Sequence, residues 1–132
     1  GVVIFSIVIL LGSNPYYLKY QLAYSSLDAA ARENLLLESI KHKPEFMEPY
    51  NDLAWLYAEQ GIKLKEALEL MERALLRDPQ NSAFLDTKAE VLCKMGRLSE
   101  AIEIEEGLVQ RNPVEPYFKE QLGKFKKNLK KR

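Results

Sequence analysis

Apolar residues recur along this chain at intervals of three and four, in runs that stop at prolines. From Tyr50 to Pro79, YNDLAWLYAEQGIKLKEALELMERALLRDP, they mark two short amphipathic helices folded back on each other at Gly61. The pattern predicts helices over residues 47–60 and 64–77, then 83–95 and 99–111, with Ser99 placed to cap the last of these. Residues 28–42 read as an earlier helix with Ala29, Leu36 and Ile40 inward, after a turn at Ser25-Ser26-Leu27-Asp28. Before it, Gly12-Ser13-Asn14-Pro15 restarts a helix over 16–25, with Ser13 or Asn14 as cap and Pro15 at the first helical position. Pro116 to about Lys130 is one more amphipathic helix, with Phe118, Leu122, Phe125 and Leu129 on a single stripe.

The prolines set a period. Pro44, Pro79 and Pro113 each follow a helix ending in basic or amide residues (Lys41-His42-Lys43, Arg77-Asp78, Arg111-Asn112), and they are 35 and 34 residues apart. A fixed interval near 34 marks a two-helix unit that cannot bury its own apolar faces and must stack on its neighbours. The residues at this period resemble the tetratricopeptide repeat. The first full repeat offers Tyr50, Leu53-Ala54 and Tyr57 on its first helix, Gly61 at the turn, and Ala67, Met71, Ala74 and Pro79 on its second. The second offers Leu85, Ala89, Leu92, Gly96, Ala101, Leu108 and Pro113, with Lys88 and Glu105 standing where the family has Leu and Phe.

Gly61 to Ala67 is one residue longer than the family's spacing, so Ile62-Lys63-Leu64 must bulge between the helices. A degenerate leading repeat puts Tyr16 at the leading aromatic, but Lys19, Arg32 and Ser39 fall at positions the family keeps apolar or small. The resemblance implies an all-α fold, a right-handed α-solenoid of antiparallel helix pairs. Its parts would be a leading repeat over 13–44, repeats over 45–80 and 81–114, and a capping helix with a basic tail over 115–132. A terminal helix with a polar outer side closes the apolar face that a stacked array leaves open.

Residues 1–12, GVVIFSIVILLG, carry no charge, and the chain begins at Gly1 rather than methionine. The run is shorter than the roughly 20 residues that span a bilayer, and it lacks the basic leader and cleavage site of a signal peptide. It reads as the end of a transmembrane helix that begins upstream, a buried strand or core helix being the alternative. Only Lys19 and Arg32 follow within about 20 residues, a slight lean toward the non-cytoplasmic side.

Composition changes this picture little. With 132 residues, 47% apolar and 29% charged, the chain is of ordinary globular type with room for one domain. Its formal net charge is zero, but Pro116 to Arg132 holds Lys119, Lys124, Lys126, Lys127, Lys130, Lys131 and Arg132 against Glu120 alone, so the remainder is acidic. The positive end of this helix suits its own dipole; attraction to anionic lipid head groups is a second use. Nothing in it points to nucleic acid, because no aromatic interleaving accompanies the lysines. Cys93 is the sole cysteine and excludes an internal disulfide.

Catalysis has almost nothing to use. His42 lies at the polar end of a helix and Cys93 in the middle of another, both read as structural, and no phosphate loop, metal-ligand spacing or nucleophile elbow occurs. The expectation is a binding protein with no cofactor, no metal and no enzymatic activity.

The resemblance implies that groove positions fall on the first helices. These are Asn51, Trp55, Ala58 and Glu59 in the first full repeat, Asp86, Glu90 and Cys93 in the second, and Tyr17, Gln21 and Tyr24 in the leading one. Trp55 is the candidate anchor for a peptide, with packing on a neighbouring helix as the alternative. An acidic groove bearing an aromatic suits a basic or apolar segment, unlike the lysine, asparagine and arginine set of repeats that clasp a chaperone carboxy terminus. Two functions remain. One is a membrane-tethered scaffold binding a protein or peptide in assembly or recruitment. The other is the C-terminal repeat tail of a larger polytopic membrane enzyme, such as a glycosyltransferase-like protein, with catalysis upstream of Gly1. The oligomeric state stays open.

Overall fold

A computed structural model describes residues 28–131. Among these residues the chain forms α-helices and no strands: α1 (Ala29–His42), α2 (Glu48–Gln60), α3 (Leu64–Arg77), α4 (Ser82–Lys94), α5 (Leu98–Arg111) and α6 (Pro116–Lys130). Every boundary lies within one residue of the one the apolar pattern predicts. The predicted transmembrane segment over 1–12 and the helix over 16–25 lie outside the described residues. Within them, no helix is long and apolar enough to cross a membrane.

The helix ends explain the regularity. After α1, α3 and α5 the chain makes the same four-residue turn with proline second, closed by Phe46 N–H to Lys43 C=O (3.1 Å), Asn81 to Asp78 (3.2 Å) and Glu115 to Asn112 (3.1 Å). Proline presets its own φ for that turn and drives the preceding residue out of the helix. Lys43, Asp78 and Asn112 accordingly leave helical geometry at φ −141°, −140° and −131°.

The turns inside the pairs are built differently. At Gly61 (φ 66°), Ile62 N–H bonds Tyr57 C=O at 3.0 Å and Gly61 N–H bonds Ala58 C=O at 3.1 Å; at Gly96 (φ 84°), Arg97 bonds Leu92 at 2.8 Å and Gly96 bonds Cys93 at 3.0 Å. These doubled bonds close a helix on a left-handed residue, which glycine adopts without strain. The extra residue of the first repeat is Lys63, itself left-handed at φ 48°, with its ammonium 5.2 Å from the Tyr57 ring centre. A Cβ at Gly61 would meet nothing within 4 Å, so Gly61→Ala should cost backbone strain alone, about 1–2 kcal/mol in urea unfolding.

Polar side chains start several helices. Asp28 accepts from Ala30 N–H (2.8 Å), Asn81 from Phe84 N–H (3.1 Å) and Glu115 from Tyr117 N–H (3.1 Å). Ser99 does not cap α5: the helix begins at Leu98 with Arg97 before it, and no side chain caps it. Instead Arg97 grips Glu100 through Nε and a second guanidinium nitrogen, at 2.6 and 2.8 Å.

The chain divides into two compact units, Gly1–Pro49 and Tyr50–Arg132. In the first, α1 buries Leu36 and Ser39, while Ala29 and Ile40 are half-buried. Ser39 tolerates burial because its hydroxyl donates to Leu35 C=O at 3.0 Å. His42 sits on the surface, 3.0 Å from Glu38.

In the second unit α3 packs on α4, α4 on α5, and α5 on α6. Eight of the thirteen residues of α4 are buried. One core cluster joins Ala89, Leu92 and Cys93 of α4, Leu98 and Ala101 of α5, and Phe125 of α6, with Leu68, Ile102 and Ile104 at its edge. On α6 the buried face is Phe118, Gln121 and Phe125; Leu122 is half-buried and Leu129 is 45% exposed. The predicted apolar stripe is thus rotated toward Gln121, because α6 must also cover polar groups of α4.

Candidate functional site

Those polar groups form a buried seam of three carboxylates. Asp86 and Glu90 lie one turn apart on α4, at 5% and 4% exposure, and Glu105 of α5 is fully buried. α6 lays a polar stripe over the first two. Tyr117 Oη donates to Asp86 at 3.0 Å, and Gln121 Nε2 reaches both Asp86 (3.3 Å) and Glu90 (3.1 Å). Lys124 Nζ donates to Glu90 at 2.8 Å, and Asn128 Nδ2 lies 3.5 Å from Cys93 Sγ. Hydrogen-bonded carboxylates can be buried beside such donors.

Glu105 has no such support, since no side-chain or backbone N–H or O–H donates to either of its oxygens. Burial, then the hydrogen bond to Asp86 and the charges of Asp86 and Glu90, push its carboxyl up to about 10. A carboxyl raised this far favours its acid form at neutral pH, the form that needs no cluster of donors around it. Burial and the Asp86 carboxylate also raise the Tyr117 phenol, which stays a neutral donor.

The stripe on α2 is arranged otherwise. Asn51 and Trp55 are half-buried and Glu59 is exposed, whereas Ala58 is fully buried. The Trp55 indole N–H donates to Glu59, which orients the ring along the helix. Asn51 Oδ1 is shielded from solvent without a donor.

The structure therefore separates the groove residues named from the sequence. Asn51, Trp55 and Glu59 share one stripe of α2, with Ala58 packed away beneath it. Asp86, Glu90 and Cys93 face α6 and are already engaged by it. Tyr17, Gln21 and Tyr24 lie outside the described residues. Sequence reasoning missed Tyr117, Gln121, Lys124 and Asn128, although their spacing of four, three and four is itself a helical polar stripe beside the apolar one. It did mark Glu105 as a departure, and that residue fills the buried place where the repeat keeps phenylalanine. Among the described residues no group of three acidic, histidine or cysteine side chains could hold a metal ion.

Residues 63–124, from the bulged turn through the middle of α6, match the family model described as tetratricopeptide repeat. The chain carries tetratricopeptide repeats. No curated protein matches it. Among solved structures, the crystal structure of a tetratricopeptide repeat protein from Parabacteroides merdae is similar over 87% of this chain, with a TM-score of 0.68 and 21% identity. The chain spans 47% of the length of that protein. The likeness concerns the fold alone.

Proposed function

We propose that the chain is a scaffold that holds a protein partner through the open stripe of α2, in assembly or recruitment and with no chemistry of its own. The supporting observation is Trp55. A large ring, half-buried and oriented by the exposed Glu59 carboxylate, is the kind of preorganised aromatic and polar pair that anchors a peptide. The carboxylate of Glu59 beside the Trp55 ring suits a segment that brings N–H donors or positive charge together with apolar surface. The uncharged run at residues 1–12 supports a membrane tether for this scaffold.

Trp55 is the sole tryptophan, so its emission reports on this stripe alone. Peptides selected by display against the full chain should be basic or apolar and should shift that emission to shorter wavelength. Trp55→Ala should weaken their binding at least about tenfold while leaving the melting temperature nearly unchanged. A large fall in melting temperature, with binding retained, would place Trp55 in the packing instead.

A further inference from the structure

α6 repeats the register of a first helix, but what it presents to a second helix is new. Gly123 follows Ala89 by 34 residues, and Ala89 follows Ala54 by 35. Ala54 and Ala89 are both fully buried, and Ala89 shares a cluster with Leu98 and Ala101 of α5. A small residue there lets the paired helix approach closely. At Gly123 the same position is exposed, and a Cβ built on it would meet nothing within 4 Å.

Around Gly123 lies a hollow of about 490 Å³ lined by Gly123, Lys124, Lys126, Lys127 and Lys130. Lys126 stands where α4 has Leu92, 2% exposed, and where α2 has Tyr57, 4% exposed. The register is that of a helix-docking position, but the lining, all of it from α6, is lysine side chains instead of core residues.

That exchange selects the occupant. Lys124 is held by Glu90 and Lys126 lies 3.8 Å from Glu106, which leaves Lys127 and Lys130 to receive an occupant. An apolar helix seated here would strip water from these two without pairing them, whereas carboxylates at three- and four-residue spacing would meet them along the hollow. A lipid surface or a nucleic acid would use the charge but would have no need of the notch, and the lining holds neither arginine nor an aromatic ring for stacking on bases. We propose that the Gly123 face of α6 docks an acidic amphipathic helix of a partner protein, in the position that α5 takes on α4. This surface is separate from the Trp55 stripe, and either can fail without the other.

A probe is available within the chain. A peptide of residues 98–111, LSEAIEIEEGLVQR, carries Glu100, Glu103, Glu105 and Glu106 against Arg111, and it contains the Ala101 that packs in the Ala89 cluster. Its binding to the full chain can be followed by fluorescence anisotropy with a labelled peptide at about 50 mM salt, where charge pairs are weakly screened. The peptide should bind at least about tenfold more tightly than a scrambled peptide of the same composition. Two changes should each weaken it at least about tenfold: Gly123→Leu, which fills the notch, and Lys127→Glu with Lys130→Glu, which reverses the unpaired part of the lining. Circular dichroism melting should show that Gly123→Leu leaves the fold intact, since the site is open and leucine favours helix. Absence of binding, equal binding of the scramble, or indifference to Gly123→Leu would overturn the proposal. So would phosphatidylserine vesicles or duplex DNA binding more tightly than the peptide.

Discussion

Between pH 6 and pH 8 the Tyr50–Arg132 unit is expected to lose about 3 kcal/mol of stability, with Glu105 as the cause. Its carboxyl is raised in the folded chain, so the folded state holds a proton that the unfolded state releases above about pH 4.3. The favourable state is thus fully present below that value. Stability then falls by about 1.4 kcal/mol per pH unit and levels off only as the folded-state carboxyl itself ionises near 10.

Glu105→Gln keeps the shape and an N–H donor toward Asp86 but needs no proton. It should add about 3 kcal/mol at pH 7 and flatten the pH profile. Urea unfolding of both proteins at several pH values measures this. A slope that persists in the glutamine variant would move the effect to other groups. The cost that Glu105 imposes is one a phenylalanine at this place, the repeat's usual residue, would avoid.

Phe125→Ala should destabilise the same unit by about 3–5 kcal/mol, as expected for a fully buried ring with no solvent path to relax into. Phe125 closes the cluster of Ala89, Leu92, Cys93, Leu98 and Ala101, so its loss opens a void between three helices. Leu129→Ala, one turn further along the same helix, should cost less than about 1 kcal/mol because that side chain is 45% exposed. The pair is read from urea midpoints at unchanged slope. Equal costs would mean that Leu129 is covered as deeply as Phe125, contrary to this arrangement of α6.

The fold was legible because its signals are local. Each proline in the series presets a turn and expels its predecessor from the helix, and Gly61 and Gly96 supply the left-handed closures, so helix ends could be placed within one residue. The surplus residue between Gly61 and Ala67 was visible as a count, and only its backbone showed that Lys63 absorbs it in a left-handed conformation. Ser99 misled because the helix starts one residue earlier than its apolar pattern suggests, at Leu98, which puts the serine inside the first turn and out of the capping position.

The binding residues were less legible. Asp86, Glu90 and Cys93 read as groove positions because each repeat was considered alone, yet whether a first helix is open depends on whether another lies across it. α6 does lie across α4, and its polar stripe meets the carboxylates there.

Helix positions, repeat period, turn chemistry and the acidic-to-basic division of the chain follow from the order of residues, since each depends on neighbours within a few positions. Which polar groups end up buried, that Glu105 must hold a proton, and that Gly123 opens onto a cationic hollow were decided by tertiary structure. Burial, and with it the free energy of a charge, depends on what the rest of the chain places against a side chain.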